Sequence, residues 1–425
     1  MGKTSKKYSL KKLSQNTIFI IALLLGLNVI PVKAMAEYNK LLKIGIIQRF
    51  GAKATDKIII KATPGDKLTL RFKTPGGEDT LTTEKVELKI KMKPLEEPIL
   101  KERLILSSHR SYENAEEDAQ FWKNKGIEVE VAQPDRWKVW AKREVYKTPL
   151  LRRWLLESIQ AHSNTNVYLD LETLKQRPTA YWNMNGYIYH RHELYITAGK
   201  DEIIISNQFN QDTAILEERR YAGSLKLEPN AYGTYTLVNN VPIETYIRGV
   251  VPHELGAWPP KASLEAQSIL ARTYALRNLH RFVVDNYELC ADTHCQVYKG
   301  LDVYPETDTA VTATRGKVLT YKDELIDAVY FAVSGGVTAD FNDLWNGTER
   351  PYLRPVIDGV NNIWDLSRNS LAYEQNFRKF MSLKKGFNEE GWREFRWQEA
   401  VSLPDIVGYL KTVSYTHLRA HETRN

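Results

Sequence analysis

Cysteine is scarce in this sequence, with only Cys290 and Cys295 among 425 residues. Neither lies near the N-terminus, which argues against a bacterial lipoprotein. Beyond residue 36 no stretch approaches the ~20 apolar residues that a membrane span needs. The lysines and arginines form no basic stripe on a known module, so we expect no nucleic-acid partner. Hydrophobic residues make up 43% and charged residues 26%, a balance that excludes disordered and fibrous chains.

The N-terminus has the order of a secretory signal peptide. Five lysines in residues 3–12 precede an apolar run at residues 17–32, and Ala34-Met35-Ala36 offers a small-residue cleavage site. The run is short for a membrane span, which favours cleavage after Ala36 over an uncleaved anchor. We therefore predict a signal peptide at residues 1–36 and an exported protein, in the periplasm or the cell wall. The net charge of +7 suits an anionic wall polymer.

Short β-strands are predicted in the region that follows, assigned to residues 37–100. Residues 86–92 alternate apolar and polar side chains, as a half-buried strand does. Gly76-Gly77 interrupts this pattern. Further strands are predicted at residues 43–50, 57–61 and 68–72.

Residues 101–172 carry predicted elements in the order βαββαβ, the split arrangement of ferredoxin-like folds. The first helix places Ala115, Ala119 and Trp122 on one face. The element order, the length and the helix start Glu113-Asn114-Ala115 resemble the SPOR domain. This resemblance implies a module that binds glycan strands stripped of their stem peptides.

Six short blocks follow one another in the remaining chain: VVPHEL, AxSILARTYALRN, DTHCQVYKG, ATRGKVLTY, VSGGVT and PYLRPV. Together they are similar to the SpoIID/LytB family, and six ordered blocks are far more specific than one motif. The similarity covers residues 221–365 and extends more weakly to residue 397. It implies an exported peptidoglycan protein. Some members of the family are lytic transglycosylases on stripped glycan strands, and others are enhancers of cell-wall amidases.

Glu254 is the candidate catalytic residue, because the family's catalytic glutamate lies in the block before a long helix, here predicted at residues 261–282. Cleavage of a β-1,4 glycosidic bond requires protonation of the leaving oxygen. The resemblance implies that one carboxyl does this and then deprotonates the sugar's C6 hydroxyl, which closes a 1,6-anhydro ring. The expected apolar neighbours are Val250, Val251, Leu255 and Trp258.

Structural interpretations compete for both carboxylates in this segment. A glutamate just before a helix start is favourable for dipole reasons alone, so Glu254 could be a capping residue. Glu265, the rival carboxylate, is expected on a solvated helix face.

Seven further residues are candidates for substrate binding. Arg272, Tyr274, Gln296 and Tyr298 fall in the matching blocks, where they could contact sugar or hold the helix against the sheet. Ser334-Gly335-Gly336 lacks the G-x-S-x-G pattern of a nucleophilic serine. These residues are expected to let the backbone approach the ligand closely.

Cys290, His294 and Cys295 place three soft ligands within six residues. Two cysteines in an exported chain favour a disulfide. Some members of the family hold zinc near this block with two Cys and two His, so the resemblance offers a structural zinc with His280 or His253 as the fourth ligand. Free thiols are the third alternative. No cofactor is required for the implied chemistry.

Residues 413–425 break with the pattern before them and are similar to a tail that recurs in sequences assembled from adapter-bearing libraries. We expect residues 412–425 to be artefactual and the SpoIID/LytB-like domain, assigned to residues 173–411, to be truncated.

Three functions are compatible with the sequence. The chain could be a transglycosylase, a non-catalytic regulator that stimulates an amidase, or a glycan-binding module, and only the first needs Glu254. The predicted fold is a β-rich α+β multidomain protein with one long helix in the catalytic domain.

Overall fold

The computed structural model describes residues 40–163, 165–209, 216–256, 259–301 and 304–414, with side chains to residue 408. The predicted signal peptide, Trp258 and most of the tail expected to be artefactual lie outside these residues. The chain divides into two compact units, Met1–Val329 and Tyr330–Asn425. The fold is mixed α+β and rich in strands, as predicted.

No helix in the described ranges is both long and apolar enough to cross a bilayer.

The strands are β1 (Leu41–Phe50), β2 (Lys57–Ala62), β3 (Leu68–Thr74), β4 (Gly77–Thr83), β5 (Lys85–His109), β6 (Val129–Ala132), β7 (Trp137–Ala141), β8 (Tyr168–Met184), β9 (Tyr187–His190), β10 (Leu194–Ala198), β11 (Glu202–Asn207), β12 (Glu217–Ala222), β13 (Ser224–Pro229), β14 (Tyr235–Pro242), β15 (Leu289–Cys290), β16 (Thr320–Tyr321) and β17 (Glu324–Leu325). The helices are α1 (Tyr112–Asn124), α2 (Pro149–His162), α3 (Ile243–Leu255), α4 (Lys261–Arg277), α5 (Pro305–Ala313), α6 (Phe341–Leu344), α7 (Glu374–Ser382) and α8 (Leu403–Ser414), with a short 3-10 helix at Val283–Asp285.

Two sheets organise the first unit. One has the order β15-β1-β14-β13-β10-β3-β4, and the other has the order β12-β11-β2-β5-β7-β6, with β8 paired to β5 and β9. Strands from the start of the chain therefore lie beside strands that come much later. Leu42 and Ile44 of β1 are fully buried and share one apolar core with Leu237 of β14.

β5 is a single strand of 25 residues where two separate strands were predicted. Its pairing with β8 shifts register between Pro94 and Ile99, and both halves pair with β8 on either side of that irregularity. The domain boundaries expected at 100/101 and 172/173 fall inside β5 and β8. Tertiary pairing thus carries the strand through a stretch whose local sequence signals an interruption.

The segment predicted as βαββαβ has its elements in that order, and its strands lie side by side as β6-β7-β5-β8, all antiparallel. α1 and α2 pack against this sheet. Leu104 and Leu106 share a core with Ala115, Ala119 and Trp122, the predicted face of α1.

The residue between these two leucines, Ile105, points into a separate cluster with Trp140 and Ala231. Since alternate strand residues face opposite sides of a sheet, α1 covers one face and the segment around Ala231 covers part of the other.

α4 ends at Arg277 and not at residue 282 as predicted. The Asn278 side-chain amide donates to the Tyr274 carbonyl oxygen at 2.8 Å, and its backbone N–H donates to the same oxygen at 3.1 Å. The backbone bond is the last i-to-i−4 bond of the helix, and the side-chain amide adds a second donor to the same carbonyl at the helix end. α4 is accompanied by α3 and α5, which pack against it.

The second unit contains α6, α7 and α8 in its described part. Phe380, Phe387 and Phe395 form its buried core. The Arg396 guanidinium lies 4.2 Å from the centroid of the Phe395 ring and donates to the Gly335 carbonyl oxygen.

Candidate active site

Glu254 lies in the last turn of α3, a helix whose inner face is fully buried through Tyr246, Ile247, Val250 and Val251. The interpretation of Glu254 as a capping residue is wrong, because the next helix does not begin until Lys261. A carboxylate at a helix C-terminus opposes the helix dipole. Local helix energetics therefore do not account for a glutamate at this position.

A backbone donor holds the Glu254 carboxylate. The Val297 N–H donates to Glu254 Oε1 at 2.7 Å, and the glutamate side chain is partly buried. Of the expected apolar neighbours, Val250 and Val251 are buried, whereas Leu255 is 41% exposed. The carboxylate is thus oriented by a fixed amide at the edge of a packed helix.

Val297 belongs to a tightly closed loop. The Cys295 N–H donates to the Asp292 carbonyl oxygen at 3.0 Å, and the Tyr298 N–H donates to the Ala291 carbonyl oxygen at 3.1 Å. A disulfide joins Cys290 and Cys295 across the same turn. The amide that holds Glu254 therefore belongs to a backbone segment that is constrained by hydrogen bonds and by a neighbouring disulfide.

Gly249 lets α3 approach this loop closely. A Cβ at Gly249 would lie 2.3 Å from the Gly300 carbonyl oxygen and 2.6 Å from a ring carbon of Tyr298. This glycine, which directly precedes the VVPHEL block, was not predicted to have a role. Its place within a helix, where glycine is disfavoured, is a signal for such a contact.

Two family models match the chain, over separate stretches. The SpoIID model, described as Stage II sporulation protein, matches residues 231–321. A domain of unknown function, DUF8618, matches residues 339–423. The first match contains Glu254, the loop of Val297 and all of α3 and α4.

Three relatives are similar to parts of this chain. An uncharacterized protein of Brachyspira hyodysenteriae is 36% identical over 176 residues, 39% of this chain and 45% of that protein. Stage II sporulation protein D of Bacillus subtilis is 32% identical over 159 residues, 32% of this chain and 45% of that protein. Amidase enhancer of Bacillus subtilis is 37% identical over 107 residues, 25% of this chain and 14% of that protein.

Residues 231–321 match a SpoIID domain. The resemblance to the SpoIID/LytB family stated from the sequence blocks is thereby confirmed. The chain spans less than half the length of each of these relatives. The match to DUF8618, the domain of unknown function, extends to residue 423, which lies in the tail that we expected to be artefactual.

Gln296 and Tyr298 of the SpoIID domain point into its interior. Both are fully buried. Tyr246 Oη donates to Gln296 Oε1 at 3.2 Å, and Tyr298 Oη donates to Asn239 Oδ1 at 2.9 Å. Burial raises the pKa of Tyr298 well above its usual value. In this arrangement both side chains fix the loop, and their substrate contact remains a prediction.

Arg272 is buried in a two-pronged ion pair with Glu244. Its Nε and Nη2 each lie 2.8 Å from a carboxylate oxygen of Glu244, and its Nη1 donates to the Lys317 carbonyl oxygen at 3.0 Å. The Gly316 N–H donates to the same carboxylate at 3.3 Å. Arg272 therefore joins α3, α4 and the turn after α5, and Glu244 is a residue that sequence reasoning missed.

Tyr274 lies close to the candidate carboxylate. It is 7% exposed. Burial raises the pKa of Tyr274 to about 12; Arg281 opposes this, and the carboxylates of Glu113 and Glu254 add to it. Glu265, by contrast, pairs with Lys261 at 3.5 Å on the surface of α4, as expected for a solvated face.

The cysteines form the disulfide, one of the three alternatives left open. With the two sulfurs bonded to each other, they supply no thiolate for a zinc ion. His280 Nε2 lies 2.5 Å from Glu116 Oε1, and the described residues contain no cluster of three or more His, Cys, Asp or Glu that could hold a metal. The arrangement does not fit the zinc site that the family resemblance offered.

Ser334-Gly335-Gly336 belongs to the second unit and lies between the two family matches. Ser334 Oγ lies 3.3 Å from Asp358 Oδ2 and accepts the Gly336 N–H at 2.9 Å, and the Ser334 N–H donates to Glu389. Gly336 has φ +96 and packs on Phe387, so a side chain there would clash. These contacts explain the glycines structurally, and a ligand role for them remains a prediction.

Proposed function

We propose that this protein is exported and acts on peptidoglycan as a lytic transglycosylase, with Glu254 as its acid/base. The observation that carries the proposal is the carboxylate of Glu254, which the Val297 N–H orients within the matched SpoIID domain. Its substrate would be a glycan strand stripped of stem peptides, and its products would end in a 1,6-anhydro sugar.

The chemistry needs one carboxyl that changes its protonation state twice. Glu254 first gives its proton to the leaving glycosidic oxygen as the bond from C1 to that oxygen breaks. The C6 hydroxyl of the same sugar then bonds to C1, and its proton returns to Glu254. No water is consumed, and the enzyme ends in the form in which it began.

The two-carboxylate arrangement of ordinary glycosidases is not required by this route. A residue that acts on two different oxygens must hold its geometry between the steps, because small misplacements of a catalytic group are costly. The buried face of α3 and the stapled loop of Val297 supply that rigidity.

The test is a digestion of purified peptidoglycan, pre-treated with an amidase to remove stem peptides. Soluble 1,6-anhydro fragments, identified by mass spectrometry, are expected from the wild type and not from Glu254→Gln. Glu265→Gln is the matched control, since it changes a surface carboxylate on the next helix. Equal release from wild type and Glu254→Gln would exclude Glu254 as the acid/base.

The second candidate function is that of a non-catalytic enhancer of a cell-wall amidase. It is favoured by one observation, the 37% identity to the relative named Amidase enhancer. Its test measures the release of stem peptides by a purified cell-wall amidase with and without this protein. Stimulation that survives Glu254→Gln, together with no anhydro products from the wild type, would favour the enhancer over the enzyme.

The βαββαβ module is proposed to be ferredoxin-like and to engage glycan, as its resemblance to the SPOR domain implies. Its element order and its β6-β7-β5-β8 strand order support the first part. Co-sedimentation of the protein with stripped and with unstripped peptidoglycan tests the second part. Equal binding to both would contradict recognition of stripped strands.

A further inference from the structure

Helix α1 of the βαββαβ module reaches the SpoIID domain through two carboxylates one turn apart. Glu113 pairs with Arg281, and Glu116 pairs with His280 at 2.5 Å. The first pair is interior, since the side chains of Arg281 and Glu113 are 6% and 20% exposed. The second pair lies at the rim, with both side chains more than 40% exposed.

Arg281 joins three parts of the structure. Its Nη2 donates to Glu113 of α1, its Nε donates to Asn278 Oδ1 at 2.8 Å, and its Nη1 donates to the His294 carbonyl oxygen at 3.2 Å. Its guanidinium also lies over the Tyr112 ring, 4.5 Å from the centroid. A buried guanidinium stays charged, so the positive charge of Arg281 needs a negative partner, which the carboxylate of Glu113 supplies.

The contact at His294 leads directly to Glu254. His294 begins a short run of backbone that ends at Val297, whose N–H holds the Glu254 carboxylate. The disulfide at Cys295 makes this run stiff. A constrained backbone of this kind would pass a displacement of Arg281 on to the amide of Val297.

We infer that Glu113 is a positioning residue for Glu254, acting through Arg281 and the backbone from His294 to Val297. The module is then a built-in part of the site and not a separate tethered binder. The segment around Ala231 that covers the other face of the module agrees with this integration. The catalytic consequence rests on the proposed function, whereas the structural link can be measured without it.

The test compares Glu113→Gln with Glu117→Gln, an exposed carboxylate on the same helix. The first readout is hydrogen exchange of the Val297 amide in the full chain. The second is the kinetics of glycan cleavage. We expect Glu113→Gln to speed exchange at Val297 and to lower kcat by about 10- to 100-fold with little change in KM. Glu117→Gln should leave both unchanged.

A double variant separates this link from a general loss of stability. In an Arg281→Gln background, Glu113→Gln should produce no further change at Val297, because the two residues act in series. Glu113→Asp, which keeps the charge, should recover part of the wild-type kcat if Glu113→Gln folds poorly.

Two results would overturn the inference. One is wild-type exchange at Val297 in a folded Glu113→Gln protein. The other is a fall in melting temperature with kcat, measured well below it, unchanged. If the wild type releases no glycan at all, the proposed function fails, and exchange at Val297 alone still decides whether Glu113 positions this backbone.

Discussion

At the scale of single residues, the site depends on partners that are distant in the chain. Glu254 is oriented by Val297, Arg272 is neutralised by Glu244, and Arg281 is neutralised by Glu113. Each pairing links different helices or loops. These polar residues are therefore tied into the scaffold, and their loss is expected to affect folding as well as function.

Loss of the Glu244 carboxylate should be far more costly than loss of a surface carboxylate. Glu244→Gln leaves the 1%-exposed Arg272 without its counter-charge. We expect the free energy of unfolding to fall by about 3–5 kcal/mol. Urea unfolding measures it, with Glu265→Gln as a control expected to change it by less than about 0.5 kcal/mol. Similar losses for the two variants would contradict this account.

The close approach at Gly249 predicts a penalty for the smallest side chain. Alanine is favoured over glycine in a helix by ~1 kcal/mol, yet its Cβ would overlap the Gly300 carbonyl oxygen. We expect Gly249→Ala to lower the free energy of unfolding by about 1–3 kcal/mol. Gly76→Ala is the control, because its nearest neighbour would be 3.9 Å away. A stabilised Gly249→Ala protein would show that helix propensity outweighs the contact.

Glu254 could be singled out as a candidate because it stands in a recognisable block, but the residues that hold the surrounding backbone could not. Glu244, Gly249 and Glu113 act through contacts that have no fixed spacing in sequence. Arg272, Gln296 and Tyr298 were predicted as substrate-binding residues because they fall in the matching blocks. In the structure their side chains are buried. A single sequence cannot separate a residue that faces substrate from one that braces the backbone beside it.

At the scale of secondary-structure elements, the loop closed by the disulfide is the piece on which the site depends most. Cys290 pairs within β15 beside β1, so one end of the loop is anchored in a sheet. The other end, Cys295, lies two residues before Val297. The disulfide thus connects the sheet to the amide that orients Glu254.

Reduction of the disulfide should destabilise the protein modestly. The cysteines are five residues apart, and loop-closure entropy assigns so short a loop about 2 kcal/mol. We expect a reductant to lower the melting temperature of the wild type and to leave that of the Cys290→Ser, Cys295→Ser double variant unchanged. The zinc content of protein prepared without chelator is measured alongside the melting temperatures. One bound zinc per chain would contradict the disulfide.

The elements that sequence reasoning missed share a physical cause. β4 (GEDTLTT) has almost no apolar residues and is mostly exposed, so no alternation marks it. α3 contains Gly249 and Pro252, both helix breakers, and is stabilised by burial of its inner face. β5 passes through two prolines because β8 pairs with both of its halves. The well-patterned strands were predicted close to their observed bounds, and the buried face of α1 was predicted correctly.

At the scale of the whole molecule, the first unit is interleaved and the second is separate in sequence. β1 pairs with β14, β2 pairs with β5, and β3 pairs with β10. A chain cut at residue 100 would lose the partners of both sheets. The unit ending at Val329 contains all of these pairings.

Truncation should show this organisation. We expect a chain ending at Val329 to unfold cooperatively in urea, with a midpoint near that of the corresponding transition in the full chain. A chain of residues 101–329 should show no cooperative transition, because the buried Leu42 and Ile44 are removed from the core. Cooperative unfolding of the shorter chain would contradict the interleaved arrangement.

The position of β1 also sets the order in which this chain can assemble. β1 lies between β14 and β15, and Lys43 is hydrogen-bonded to Glu288, 245 residues away. Pairings so remote in sequence form slowly, because the closure entropy of the intervening chain must be met first. As the chain is synthesised from its N-terminus, β1 is complete long before β14 and β15 and must wait for them. Until then the apolar side chains of β1 lack their partners in the core, and exposed apolar strands of this kind make folding intermediates prone to aggregate.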